Sequence, residues 1–526
     1  MTSDGRPTLG DIESPWNFRA KRFIEAPVYR LCESRRPHPS ATRWRLEMEQ
    51  DGVRHVVEND QPILDASSIW PSLRVGAWIQ TTLYEIDGAT GWCVRVHSLG
   101  APVLGNGTMI GLVSRAPEWD DRDDPPLDYR ASIAANLDWF DRQERLIGTE
   151  ERGPAMPAWW WYASESEYPA RRAPRDGAFP GLASVAIVAN LSAAEALPER
   201  ADACRSTARA IGTWLLANRT PFEGATPGMP YTAMRKGTFA YAAEARALNI
   251  SRASIPAAGM LQLFLDTGDE RYLDYARHVA GVLTRFVGDD GAMPYRVRPD
   301  SGWVMEAYTC GSVAVALFLD ALDRADPDAR WRDTSLRIRG WVLDHPMRDF
   351  NWKACFEDVG RKRRFANLTG MDALWAIRLL ARHRDEDPAY LPAARKLFRW
   401  VEDQFVSFGD DVSLGRLRTY YPAVREQYDC DYPMEAHAAN YASTCQALFE
   451  ATGEPVYRHK VVATLNAIVR SQRDDGAYST WGRDRETGFG GFTSGHNWFN
   501  CNHGAMGELS SFLIRQAGGT PLMIGR

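Results

Sequence analysis

The sequence predicts a mainly α chain: an (α/α)6 toroid of six helical hairpins, preceded by a small all-β sandwich. Three observations lead there. The first is a helix opening that recurs at Asp269, Asp328, Asp387 and Glu454, each time a carboxylate, then Tyr or Trp two or three residues on, then apolar residues at three-to-four spacing. A carboxylate favours a helix N-terminus, and the apolar spacing marks one buried face. The second is an echo between loops: Asp289-Asp290-Gly291-Ala292 returns as Asp474-Asp475-Gly476-Ala477, each time after such a helix. A helical pair repeating every roughly 55 to 65 residues implies an array or ring of hairpins. The third is a change of period near residue 120, from alternation to helical spacing.

The elements follow in order. Trp44–Glu49 alternates, Asp51-Gly52 signals a hairpin turn, and Arg54–Glu58 resumes as a strand. Ser72–Tyr84 and Trp92–Val96, separated by the glycine turn at 87–91, complete a set of short strands that suits a sandwich. The expected domains are therefore 1–120 and 121–526. Outer helices are expected near 128–147, 198–218, 269–287, 327–343, 388–407 and 455–472. Inner ones are expected near 180–195, 252–267, 307–325, 369–385, 435–453 and 500–517. The inner set is rich in Ala, Gly, Ser and Leu, as in Ser254–Leu261 and Cys310–Ala316, which suits helices surrounded by other helices.

Composition sets outer limits. The 526 residues, 44% hydrophobic and 25% charged, are those of an ordinary globular protein, and a net charge of −6 gives no electrostatic reason to expect a nucleic-acid partner. No apolar run reaches the roughly 18 residues of a membrane span, and the polar first residues carry no secretory signal, so a cytoplasmic protein is expected. The eight cysteines are scattered singly with no CxxC, which favours free thiols. Cys501 and His503 diverge at a helix start, and no metal is expected. No Gly-rich phosphate loop follows a strand, so no cofactor is expected either.

The stretch from Leu73 to Gly91 resembles fibronectin type III-like modules that precede catalytic domains in glycan-degrading enzymes. Residues 128–517, with the phrases around Thr267-Gly268-Asp269 and Thr452-Gly453-Glu454, resemble the six-hairpin (α/α)6-barrel superfamily of carbohydrate-active enzymes. That resemblance implies hydrolases, lyases, epimerases or phosphorylases, with long loops and inner-helix N-termini gathered at one mouth. The sandwich-plus-toroid layout is also similar to that of uronate C5-epimerases.

The connections at that mouth are rich in aromatics, and sugars present apolar faces that such rings bind. Expected substrate contacts are Trp160, Tyr231, Tyr295, Arg296, Tyr308, Trp352, Arg425, His437, Trp481, His496, Trp498 and Asn500. Two segments concentrate the chemistry. The loop from Arg416 to His437 carries Tyr421, Asp429, Asp431 and Glu435 into an inner helix, and long ordered loops are usually functional. The segment from Gly490 to Ala505 places His496, Asn497, Asn500, Asn502 and His503 among glycines and aromatics, a mixture that packing alone does not demand.

Hydrolysis needs two carboxylates across the scissile bond, roughly 5 to 10 Å apart. Asp431 or Glu435 would be one and Glu306 or Asp372 the other. A uronate-directed lyase or C5-epimerase would instead use a Tyr or His base, such as Tyr421 or His503, with Asn or Arg neutralising the substrate carboxylate. A glycan-binding protein without catalysis is the third reading. The expected partner throughout is a polysaccharide or oligosaccharide, with no nucleic acid and no membrane.

Overall fold

A computed structural model describes residues 44–50, 53–59, 64–65, 78–85, 93–99, 109–110, 119–147, 157, 181, 184–220, 223–232, 234–235, 238–239, 247–349, 352, 370–409, 419–426, 433–483, 485 and 498–521. Among them are twelve helices of three turns or more: α1 Tyr129–Ile147, α2 Val185–Ala196, α3 Ala201–Ala217, α4 Ser254–Thr267, α5 Glu270–Phe286, α6 Ser312–Ala325, α7 Ala329–Asp344, α8 Gly370–Arg382, α9 Tyr390–Phe405, α10 Glu435–Thr452, α11 Pro455–Ser471 and α12 Phe499–Gln516. Each lies where the sequence places it, to within about five residues. The even-numbered helices form the inner layer. Each packs on the next, and α12 returns to pack on α2, so the layer is a closed ring. The odd-numbered helices cover it from outside, each against its hairpin partner or, for α1, against α12.

Local chemistry explains the hairpins. Asp269 and Asp328 accept from the backbone N–H two residues on, at 3.1 and 2.8 Å, and so cap α5 and α7. Gly268 and Gly453 end α4 and α10 in the left-handed region, at φ +70° each. The preceding Thr267 and Thr452 donate to the carbonyl four residues back and accept from the N–H of Asp269 and Glu454. One turn is thus built twice from Thr-Gly-Asp and Thr-Gly-Glu. Small inner-layer residues permit close approach, and a Cβ on Gly259 of α4 would lie 3.2 Å from Ile187 of α2.

The echoing loops are joints between outer helices. Gly291, after α5, has φ +85° and abuts the Arg337 carbonyl of α7. Gly476, after α11, has φ +92° and abuts the Ala135 carbonyl of α1. The loop that joins neighbours in mid-chain therefore also joins the last hairpin to the first helix. That seam is densely bonded: Tyr129 Oη donates to Asn466 at 2.9 Å, Asn136 Nδ2 donates to the Gly476 carbonyl at 3.0 Å and to Asn502 Oδ1 at 2.9 Å, and Ser132 meets Tyr478 at 2.8 Å. A Cβ at position 476 would sit 2.2 Å from the Ala135 oxygen. Gly476→Ala is expected to destabilise the fold by about 2–4 kcal/mol, read by chemical denaturation, because both the backbone angle and the contact must give way.

Of the N-terminal strands, β1 Trp44–Gln50, β2 Val53–Asn59, β4 Trp78–Glu85 and β5 Cys93–Leu99 form an antiparallel sheet in the order β2-β1-β4-β5, with Gln50 opposite Val53. β3 Leu64–Asp65 pairs with β6 Met109–Ile110 as a separate ladder. Short strands in the helical region carry no signal in the hydrophobic pattern. The pairs β7 Met234–Arg235 with β8 Thr238–Phe239 and β12 Val406–Ser407 with β13 Ala423–Val424 are two-stranded, and β9 Leu248–Asn249, β10 Arg296–Val297 and β11 Val304–Glu306 make a three-stranded sheet. The start of α6 at Ser312, later than expected, follows from β11 and from Thr309, whose Oγ1 accepts the Gly311 N–H at 2.8 Å.

Candidate active site

In the closed ring of alternating hairpins the inner-helix N-termini lie at one end. Three of those N-termini carry ionisable side chains that act on one another electrostatically. Arg252, in the helical turn before α4, reaches the ring of Trp375 on α8, its guanidinium carbon 5.7 Å from the ring centroid. Helix α6 stands between α4 and α8 in the ring, so this contact spans the bore. Asp372, three residues before Trp375, is 0% exposed, and neither carboxylate oxygen has a hydrogen-bond partner. Burial pushes its pKa up, while the charges of Arg252 and His437 pull it back. His437 and Asp372 hold the same position, third residue of adjacent inner helices. The two helices are tied by Asn440 Nδ2 donating to the Met371 carbonyl and Thr444 Oγ1 to the Leu374 carbonyl. Glu426 completes the cluster. Its Oε1 lies 3.5 Å from His437 Nε2, and its carbonyl accepts from Gly370 N, the first residue of α8, at 3.1 Å. Glu426 has no sequence signal beyond its place in the long loop, and Arg252 none beyond its position ahead of an inner helix.

A buried unpartnered carboxylate under the influence of an imidazole and a guanidinium marks this end of the ring as the candidate site. Among the described residues no group of three or more His, Cys, Asp or Glu is placed to hold a metal ion.

No protein-family description matches the sequence, and no curated protein matches it. Solved structures do. A family 76 glycoside hydrolase from a bovine Bacteroides thetaiotaomicron strain superposes with TM-score 0.50 at 11% identity, over 90% of this chain and 93% of that one. A sugar epimerase from a ruminal bacterium superposes with TM-score 0.53 at 13% identity, over 73% and 98%. A cellobiose 2-epimerase from Spirochaeta thermophila gives 0.52 at 13%, over 74% and 97%. The fold is a six-hairpin (α/α)6 barrel.

Other anticipated residues take varied places in the barrel. Glu435, first residue of α10, is buried and accepts from Ser471 Oγ of the outer helix α11 at 2.6 Å, and burial pushes its pKa up to about 8. Its carboxyl therefore faces the seam between the inner and outer layers. His503 likewise leaves the bore: its ring stacks on Phe140 of outer helix α1, centroids 4.2 Å apart, and burial pulls its pKa down to about 3. Asn502 accepts from Tyr478 N at 2.7 Å in the closing seam, so this part of the Asn/His segment knits the ring.

Tyr231 shares a cavity of about 10 Å³ with Asn249 and Arg252, room for about one water. Arg296 donates to Asn249 Oδ1 at 3.1 Å and to Tyr295 Oη at 3.0 Å, which places Tyr295 and Arg296 beside that cavity. Glu306 is half-buried on β11, opposite Arg296. Tyr308 is half-buried against Trp341, centroids 5.5 Å apart, and Trp352 is fully buried. Arg425, buried, bridges to Pro433, and Tyr421, half-buried, lies 5.6 Å from the Arg485 guanidinium. Trp481 and Trp498 pair at 5.8 Å, and Asn500 is half-buried as the second residue of α12. Asp431, Trp160 and His496 lie outside the described residues, as do Asp429 and Asn497. Among the described residues no helix is long and apolar enough to cross a membrane.

Proposed function

We propose that this chain is a carbohydrate-active enzyme that cleaves glycosidic bonds of a polysaccharide or oligosaccharide by general acid/base hydrolysis in the mouth of the barrel. The observation that carries this reading is Asp372, a wholly buried carboxylate with both oxygens unpartnered, between Arg252 and His437. Native structures rarely leave such a group without a use, and burial is how a carboxylic acid is kept protonated for donation to a leaving oxygen. The second carboxylate is Asp431 or Glu435. The bond from Ser471 engages Glu435, which favours Asp431. The aromatic rings of Trp375, Trp481 and Trp498 offer platforms for sugar faces.

A second reading has its own support. His437 beside Glu426 is placed to move a proton at a sugar carbon, and two of the similar structures are described as sugar epimerases. The division into residues 1–120 as a β-sandwich and 121–526 as the catalytic barrel is part of the proposal. So is a cytoplasmic setting, supported by the buried free thiols of Cys204, Cys310, Cys445 and Cys501.

The test is incubation of the protein in deuterated water with a panel of neutral and uronate-containing glycans. New reducing ends without an unsaturated product are expected and would mean hydrolysis. New ends with ultraviolet absorbance would mean elimination. Deuterium at a sugar carbon without new ends would give the reaction to His437, and silence in every channel would leave a glycan-binding protein.

A further inference from the structure

Asn249, the last residue of β9, is 4% exposed. Its backbone N–H donates to Thr232 Oγ1 at 2.9 Å, and its side-chain Oδ1 accepts from Arg296 Nε at 3.1 Å. Arg296 is steadied in turn by donating to Tyr295 Oη at 3.0 Å. Asn249 also stands just ahead of the helical turn Ile250–Ala253, where an asparagine oxygen ordinarily bonds the first N–H groups, yet it makes no such bond. Its Nδ2 is left over, the only buried side-chain amide nitrogen among the described residues without a hydrogen-bond partner. Native chains rarely bury a donor in this way without a use for it.

The same contacts fix where that donor points. With Oδ1 turned to Arg296 on the neighbouring strand β10, Nδ2 is the arm that faces the cavity of about 10 Å³ lined by Asn249, Tyr231 and Arg252. Arg252 is the wall between this cavity and the bore, since its guanidinium carbon also stands 5.7 Å from the Trp375 ring centroid. A space of that size takes one oxygen atom with its hydrogens, and the nitrogen donors at its edge call for an acceptor.

We propose that the cavity is the pocket for a single sugar hydroxyl, and that Asn249 Nδ2 donates to the hydroxyl oxygen of a sugar stacked on Trp375. This rests on the reading of the bore as a glycan site. A sugar lays its apolar face on an aromatic ring and turns its hydroxyl edge to polar groups beside that ring, which here are Arg252 and the Asn249 amide behind it. The volume admits one oxygen and excludes the two of a carboxylate, so the substrate class is a sugar that is neutral at this position. Arg296 stays behind the amide and keeps it from turning over. Asn249 is thus a residue that selects substrates by one hydroxyl, because only a sugar carrying it satisfies the buried donor.

The experiment measures dissociation constants by titration calorimetry on the full chain carrying Asp372→Asn, which holds sugar without turnover. The probes are the neutral disaccharide that binds best, cellobiose and mannobiose included, and its singly deoxygenated forms. One deoxygenated form is expected to bind about tenfold to a hundredfold more weakly than the complete sugar. Adding Asn249→Ala should weaken the complete sugar by the same factor and abolish the difference between the two. Asn249→Leu, which keeps the size of the amide without its donor, replaces Ala if the smaller side chain does not fold. Equal binding of every deoxygenated form, or discrimination that survives loss of Asn249, would mean that the cavity holds only water and overturn the proposal. Cleavage of a glycan by the parent chain with no binding of any neutral disaccharide would overturn it and leave hydrolysis standing. The expected binding pattern without any cleavage by the parent would remove hydrolysis and leave the hydroxyl pocket standing.

Discussion

Asp372→Asn is expected to lower turnover by about 10²- to 10⁴-fold, the usual weight of a positioned acid, while leaving the protein at least as stable as the parent. The two outcomes have one cause. In the folded chain the carboxyl is fully buried and unpartnered, so burial raises its pKa above the unfolded value. A carboxyl raised on folding contributes nothing unfavourable below the ordinary carboxylate range. It subtracts stability increasingly as pH rises from there through its folded pKa. Asparagine has the same shape and no charge to desolvate, so it removes that penalty. Activity assays and thermal melts on one preparation check both. A variant that lost activity and melted far below the parent would mark Asp372 as a structural group.

Glu435→Gln is expected to reduce the loss of stability of this protein between acid and mildly alkaline pH. The carboxyl of Glu435 is wholly buried with one hydrogen bond, from Ser471, and burial sets its pKa at about 8. The sign is that of Asp372. The folded state holds the proton more tightly than the unfolded one, so stability is full below about pH 4.5 and falls as pH rises to about 8. Each pH unit in that window is worth about 1.4 kcal/mol, giving about 5 kcal/mol between its ends. Glutamine keeps a group for Ser471 to bond and cannot ionise. Denaturation curves at acid and neutral-to-alkaline pH should therefore spread less for the variant than for the parent. Parallel curves would show that Glu435 stays ionised in its seam.

The repeat was legible because it is local. Asp269 and Asp328 cap, Gly268 and Gly453 terminate, and apolar residues recur at helical spacing, all within windows of a few residues. The site was legible only in part. Asp372 and His437 stand out as ionisable residues just inside inner helices, but Arg252 and Glu426 become partners only when the ring brings α4, α8 and the loop before α10 together. Glu435 and His503 show the converse. Each sits at an inner-helix N-terminus like Asp372, and which way a helix face points there is decided by its rotation in the ring. Ser471 and Phe140, the residues that receive them, belong to outer helices remote in sequence or on the far side of the closing seam.

The joint between α1 and the Gly476 loop also governs how the chain reaches this state. Tyr129, Ser132 and Asn136 meet partners some 340 positions later. The first outer helix is synthesised early and lacks its partners across the closing seam until the final hairpin emerges. Long-range closure of this kind slows folding and leaves apolar faces open to aggregation in the interval. Shortening the chain by its last hairpin would therefore remove the closing partners of both α1 and α2, and with them the cooperativity of the whole ring.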